Sequence, residues 1–507
     1  MIAGGPHRMR SGVAGVAAAL GAVLAILVVA ASAYSVPFVY VTSNSVPPGG
    51  NSTVFQYGVA DDGGLFALVP ASAPALREAQ GVAVTPDGAS VYVANVAGGA
   101  VSQYDVGEGG ALSPKFTPAV PASQPQDVTV SADGTSVYVT DGDAATVSQY
   151  SVGADGSLSP KNRPTVVAGA GAGALASSPD GRSVYVTNSA DDSISQYDVS
   201  SGGDLSPKTP PTLSLGVEPR GVAVSPDSKS VYVTSFGGVS QFSVGAGGRL
   251  SPMAPALVNA GPAARGVAVS PDGKSVYVAN VAGGSVSQYD VGAGGALSPK
   301  TPPTVQTADF GGGVDVSPDG KSVYVTAGID GMVFQFDVRA GGVLSPKTPP
   351  TVPAGPGVYD VVVSPILPTA GDDVLVGTAG ANVICGLGGS DVVRGLAGND
   401  TLFGDRCGSP RSAVTRRGFV RRANDRLNGG PGRDRLAGGP GRDRLNGGRG
   451  HDNLKGGPGN DMLFAGPGHD RVTIRDGRRD TVRCGGGRDR VEADKRDRIR
   501  GCERIRR

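Results

Sequence analysis

Tryptophan is absent from this 507-residue chain, aromatic residues make up 5% of it, and histidine occurs three times. The histidines are His7, His451 and His469, so none falls between residues 34 and 366, where Glu78, Glu108 and Glu218 are the only glutamates. A hydrolase in that stretch cannot use a histidine base and would depend on Asp or on a metal-bound water. Apolar residues reach only 39%, and no apolar run after residue 33 is long enough to span a bilayer. With 82 glycines and 39 prolines, the composition suits short strands and many turns rather than long helices.

Cysteine is equally restricted: Cys385, Cys407, Cys484 and Cys502 all lie beyond residue 370. An even number in an exported chain points to disulfides, and four cysteines allow three pairings, of which the nearest in sequence joins Cys385 to Cys407 and Cys484 to Cys502. Export is expected because His7, Arg8 and Arg10 precede an apolar run from Val13 to Ala30 and a small-residue Ala31-Ser32-Ala33 cleavage site. The mature chain would then start at Tyr34, with an uncleaved anchor as the competing reading. The net charge of +1 hides an asymmetry. From residue 371 on, Lys and Arg outnumber Asp and Glu by 28 to 18, whereas before it they are outnumbered 17 to 26. The basic tail reads either as a solvated surface or as a contact to polyanions.

What is abundant is repetition. The phrase GVAVSPDGKSVYVAN at 266–280 recurs with small changes at 81, 127, 174, 221 and 313, and Tyr92, Tyr138, Tyr185, Tyr232, Tyr277 and Tyr324 mark a period of 45 to 47 residues. Each unit reads as four strands: GVAVS, a Pro-Asp-Gly turn, SVYVAN, SVSQYDV and a strand opening on LSPK. Four antiparallel strands in about 45 residues make a propeller blade. The Pro and Lys of LSPK are expected to protect the exposed outer edge. The first strand type occurs a seventh time at Asp360–Ser364 without its partners, which FVYVTS, TVFQYGV and GLFALVP supply from residues 38–70. Seven blades, the last closed by both ends, therefore fill residues 34–366.

A second repeat of nine residues follows. Asp373, Asn382, Asp391 and Asp400 are spaced by nine, as are Asp425, Asp434, Asp443, Asp452, Asp461 and Asp470, and an aliphatic residue stands two places after each. One large apolar residue per nine forms a core only if turns stack into a coil of short parallel strands. The fold class is thus all-β: a seven-bladed β-propeller plus a C-terminal parallel β-roll. The tail divides into first repeats at 367–404, a basic insertion at 405–424, a main roll at 425–474, and degenerate repeats with a disulfide-stapled cap at 475–507.

VYVTN at 184–188, VYVTS at 231–235 and VYVAN at 276–280 resemble the YVTN and lactonase-like seven-bladed propellers, some of which open lactone rings. The tail is similar to the RTX, or hemolysin-type, nonapeptide GGxGxDxUx, which GGPGNDMLF at 456–464 fits fully. The latter resemblance implies Ca²⁺ between successive turns. Its ligands would be the carboxylates of Asp391, Asp400, Asp434, Asp443, Asp452, Asp461 and Asp470, with carbonyls from turns such as Gly439, Gly441, Gly448, Gly450, Gly457 and Gly459. The departure is arginine: in GRDR at 432–435 and 441–444 it flanks the Asp and either pairs with it or replaces the metal.

These observations predict an exported calcium-binding, non-enzymatic scaffold. Its propeller would offer a face to an unidentified ligand, and its basic roll would contact anionic cell-envelope polymers, with no nucleic-acid role. The alternative is an extracellular lactonase-like hydrolase, for which Asp127, Asp315, Asp360, Arg220 and Arg265, near the starts of first strands, are the candidate channel lining.

Overall fold

The computed structural model describes residues 37–44, 51–107, 109–307, 312–365, 374–376, 383–385, 392–395, 401–404 and 424–507. The expected signal segment, nearly all of the basic insertion, Cys407, Asp391 and Asp400 lie outside the described residues.

Seven four-stranded antiparallel sheets form the propeller, and one of them is built from both ends of the region: Val358–Val363 pairs with Phe38–Ser43, followed by Thr53–Val59 and Leu65–Pro74. The second strand of each blade, such as Ser275–Asn280, is buried along its whole length because neighbouring blades pack on both its faces. First strands sit innermost and adjoin one another around the ring.

The residues that mark the period are the ones that join blades. In each blade the second-strand tyrosine donates its hydroxyl to a glycine carbonyl in the next blade: Tyr40 to Gly110, Tyr92 to Gly156, Tyr138 to Gly203, Tyr185 to Gly248, Tyr232 to Gly295, Tyr277 to Gly342 and Tyr324 to Gly63, at 2.6–2.8 Å. A third-strand glutamine makes a second clasp. Gln288, for example, donates to the Pro302 carbonyl at 2.8 Å and accepts from the Leu344 amide of the next blade at 2.9 Å.

The LSPK lysine corrects the expectation of an edge guard. Lys115, Lys208, Lys300 and Lys347 are buried, and each pairs with an aspartate of its own third strand, Asp105, Asp198, Asp290 and Asp337. Each also donates to a carbonyl of the next blade, as Lys300 does to Gly341 at 2.6 Å. Burying an ammonium is costly unless it is paired and hydrogen-bonded, and here both conditions are met. The proline beside it, as at Pro114, stays exposed on the outermost strand as expected.

From Val374 to Arg506 the chain winds into two seven-stranded parallel sheets whose strands alternate, so one coil takes two repeats. Leu427, Leu445, Leu463, Val482 and Ile499 stack in register in one sheet, and Leu436, Leu454, Val472, Val491 and Ile505 in the other. All of these side chains except that of Ile505 meet in a single apolar core. Over residues 475–507, expected to hold degenerate repeats and a disulfide-stapled cap, Thr481–Arg483, Arg490–Ala493, Arg498–Arg500 and Arg504–Arg506 continue both sheets. The Cys484–Cys502 disulfide, with Cα atoms 5.2 Å apart, ties two successive coils, and Ile505 remains exposed. No helix among the described residues is long and apolar enough to cross a membrane.

Candidate calcium-binding roll and propeller channel

The repeat aspartates Asp452, Asp461, Asp470, Asp480 and Asp489 are buried, and each has two unequal oxygens. One accepts the backbone amide of the aspartate one coil earlier: Asp434 donates to Asp452, Asp443 to Asp461, Asp452 to Asp470, Asp461 to Asp480 and Asp470 to Asp489, at 2.8–2.9 Å. Asp434, Asp452 and Asp470 thus form one column, and Asp443 and Asp461 the other. The columns run past the strict nine-residue spacing, since Asp480 donates to Asp497 and Asp489 to Glu503. Glu503 was not among the sequence-predicted ligands. Its signal is its place one residue before Arg504-Ile505, where the other repeats carry Asp.

The second oxygen is where a cation fits. The Oδ2 atoms of Asp452, Asp461, Asp470, Asp480 and Asp489 are buried without a hydrogen-bond partner. Burial pushes Asp452, Asp461 and Asp470 up to about 6 and Asp480 up to about 7. A buried carboxylate oxygen left unmatched is costly, and a hard cation removes that cost. The space beside it is kept open by glycine. A side-chain carbon at Gly447 would lie 2.5 Å from Asp452 Oδ2 and 2.6 Å from the Ala465 carbonyl oxygen.

Of the glycines named from the repeat, Gly439, Gly441, Gly450, Gly457 and Gly459 lie between strands and Gly448 near the end of Arg444–Arg449. Gly439, Gly448 and Gly457 take φ of +102°, +103° and +106°, and Gly441 bridges Gly459 on the next coil. At Gly450 a side-chain carbon would fall 1.4 Å from the Gly432 carbonyl oxygen, so the tight stacking of coils itself demands glycine there.

Arginine does not take the metal's place at these carboxylates. Among the described residues no arginine pairs with Asp452, Asp461, Asp470, Asp480 or Asp489, and Arg471 pairs instead with Glu492 at 3.3 Å. The flanking arginines, including Arg435, Arg442 and Arg444, point into solvent.

In the propeller, Asp127, Asp315 and Asp360 lie half-buried on first strands, where each clasps the next blade. Asp127 accepts from Leu175 at 3.1 Å, Asp315 from Val363 at 2.8 Å and Asp360 from Val82 at 3.3 Å. Burial pushes Asp127 up to about 7, with Asp360 adding repulsion. Burial likewise takes Asp315 to about 7 and Asp360 to about 6. Arg265 lies within electrostatic reach of Asp127 and Asp360, and its guanidinium sits 4.1 Å from the centre of the Tyr359 ring. Arg220 pairs with Glu218 at 2.9 Å and stacks on Phe236. Three carboxyl groups able to titrate near neutrality and two guanidinium groups therefore occupy the first-strand layer.

Comparison with known proteins follows the same division. Residues 64–171, 157–236 and 208–311 match the family model of the seven-bladed β-propeller lactonases, and residues 368–405, 422–454 and 437–472 match that of the RTX calcium-binding nonapeptide repeat. No curated protein matches the chain. Among solved structures, a putative 6-phosphogluconolactonase from Bacteroides fragilis is similar at 18% identity and a TM-score of 0.55, covering 65% of this chain and 98% of its own. The periplasmic gluconolactonase of Pseudomonas aeruginosa is similar at 19% identity and a TM-score of 0.53, with 65% and 99% covered. At these identities the likeness establishes the fold of the propeller.

Proposed function

We propose that this chain, a seven-bladed lactonase-type propeller joined to RTX calcium-binding repeats, is an exported binding protein whose roll is completed by Ca²⁺. The observation that carries the reading is the series of buried, unmatched Oδ2 atoms on Asp452, Asp461, Asp470, Asp480 and Asp489. These carboxylates, with those of Asp434 and Asp443, would hold the ions, and backbone carbonyls of the glycine turns would complete the oxygen shell. Calcium supplies charge neutralisation there and locks coil to coil. The propeller then serves as an interaction face, and the N-terminal apolar segment as the export signal.

The test is calorimetric Ca²⁺ titration and far-ultraviolet circular dichroism on the full oxidised chain, beside a variant with Asp443→Ala, Asp452→Ala and Asp461→Ala. Calcium-dependent gain of β signal with heat of binding, both reduced in the variant, is the expected result. An unchanged spectrum and no heat on adding calcium would refute the metal assignment.

A hydrolase is the second reading, favoured by the near-neutral carboxyls of Asp127 and Asp360 beside Arg265 and by the lactonases among the structural neighbours. Turnover of a panel of lactones, abolished by Asp127→Asn or Arg265→Gln in a chain that still folds, would establish it. The absence of histidine from the propeller weighs for the binding role.

A further inference from the structure

We infer that the outer face of one roll sheet, that formed by Val392–Arg394, Arg426–Pro431, Arg444–Arg449, Met462–Phe464, Thr481–Arg483 and Arg498–Arg500, binds an acidic polysaccharide. The inference rests on the reading of an exported, folded roll and names the partner of its basic surface.

Strand alternation puts Leu427, Leu445, Leu463 and Val482 into the core, so the residues on either side of them face outward. On this face stand Arg394, Arg426, Arg444, Arg483, Arg498 and Arg500, all exposed. Among the described residues none of them forms an ion pair, and the face carries no acidic side chain. Parallel pairing sets like charges side by side: Arg426 is in register with Arg444, and Arg483 with Arg500. Adjacent strands lie about 4.8 Å apart, and like charges directly opposite each other destabilise a sheet. A ladder of this kind is relieved by an anion that runs along it, across the strands.

Three features select the chemistry of that anion. The six strands span about 24 Å across five spacings of about 4.8 Å, and their arginines fall in two register rows, Arg426, Arg444 and Arg498 in one and Arg394, Arg483 and Arg500 in the other, which suits an extended polymer carrying repeated charges. Midway along it Phe464 lies under Arg444 and near Arg483, at 5.2 and 6.0 Å from ring centre to guanidinium carbon. Beside it Asn428 and Asn446 form a ladder, Nδ2 of Asn446 donating to Oδ1 of Asn428 at 3.1 Å. An aromatic face for a sugar ring, amides for hydroxyl groups and guanidinium forks for carboxylates are the set an acidic sugar polymer requires. Single-stranded nucleic acid calls instead for a basic groove with several aromatic platforms for successive bases, whereas this face has Phe464 alone. The other sheet serves as the comparison: it too sets arginines in register, Arg471 with Arg490 and Arg490 with Arg504, but there Glu492 pairs with Arg471.

The experiment is fluorescence anisotropy of labelled oligogalacturonate with the full chain in Ca²⁺ buffer at low and high salt. Expected are saturable binding that weakens with salt, a loss of at least tenfold in R444Q/R483Q/R500Q, and no loss in R471Q/R490Q. Dextran should not bind. Failure of oligogalacturonate to bind a chain whose circular dichroism shows the folded roll would overturn the proposal. So would equal binding of a single-stranded oligonucleotide or of phosphatidylglycerol vesicles, or equal loss in the two variants. A spectrum indifferent to chelator refutes the calcium reading alone and leaves the anisotropy result to stand or fall separately.

Discussion

Asp127, Asp315 and Asp360 show how one side chain carries two demands. Each is placed to clasp the next blade, yet burial holds each far above an ordinary carboxyl. Because the folded values lie above the unfolded one, the folded state holds its protons more tightly. The resulting stabilisation is complete below about pH 4 and is lost as pH rises through the folded values of about 6 to 7. Thermal unfolding of the propeller should therefore fall by a few degrees between pH 5 and pH 8, and Asp127→Asn should flatten that slope, as differential scanning fluorimetry across pH would show. In the roll the decisive residue is glycine. Gly450→Ala sets a methyl group against the Gly432 carbonyl and should cost several kcal/mol, more than the ~1 kcal/mol typical of a substitution, read as loss of β signal from the roll.

The blade repeats its contacts as strictly as its sequence, and that explains what was legible. Tyrosines at a fixed period could be seen because each makes the same bond to the next blade. Tyr277→Phe should cost about 1–3 kcal/mol, since it leaves the Gly342 carbonyl without its donor, and chemical denaturation would measure it. The role of the LSPK lysine was not legible, because the carbonyl that receives Lys300 lies 41 residues further on in another blade. The blade built on Ser230–Ser235 carries Met253 at the equivalent place, in Leu250–Val258. Lys300→Met should accordingly be tolerated better than Lys300→Ala, in which the buried stem is also lost. In the roll the columns of Asp could be read from the nine-residue spacing and followed through its loosening at Asp480, Asp489 and Asp497, whereas Glu503, a different residue type at a shorter step, was hidden. Hydrogen bonds to the previous coil, not spacing, define their positions. The Cys484–Cys502 bond, spanning 18 residues, should be worth about 3 kcal/mol by loop entropy, and reduction should speed amide exchange in Arg498–Arg500 and Arg504–Arg506.

At the scale of the molecule two repeat architectures follow different rules. A roll is held by neighbour-to-neighbour contacts, so its stability adds coil by coil, and chelation should lower its unfolding temperature while leaving the pH-sensitive transition of the propeller in place. A ring has no such freedom. Its last sheet joins Phe38–Ser43 to Val358–Val363, with the Phe38 amide donating to Ser364 across 326 residues of sequence. The consequence is one of timing. During synthesis the early strands Phe38–Ser43, Thr53–Val59 and Leu65–Pro74 must wait, lacking their inner partner, until Val358–Val363 has emerged. Loop closure over that distance makes the ring a slow folder. A chain that cannot close before its far end appears also stays open long enough to be threaded through a narrow pore, so the proposed export is compatible with a ring that closes afterwards.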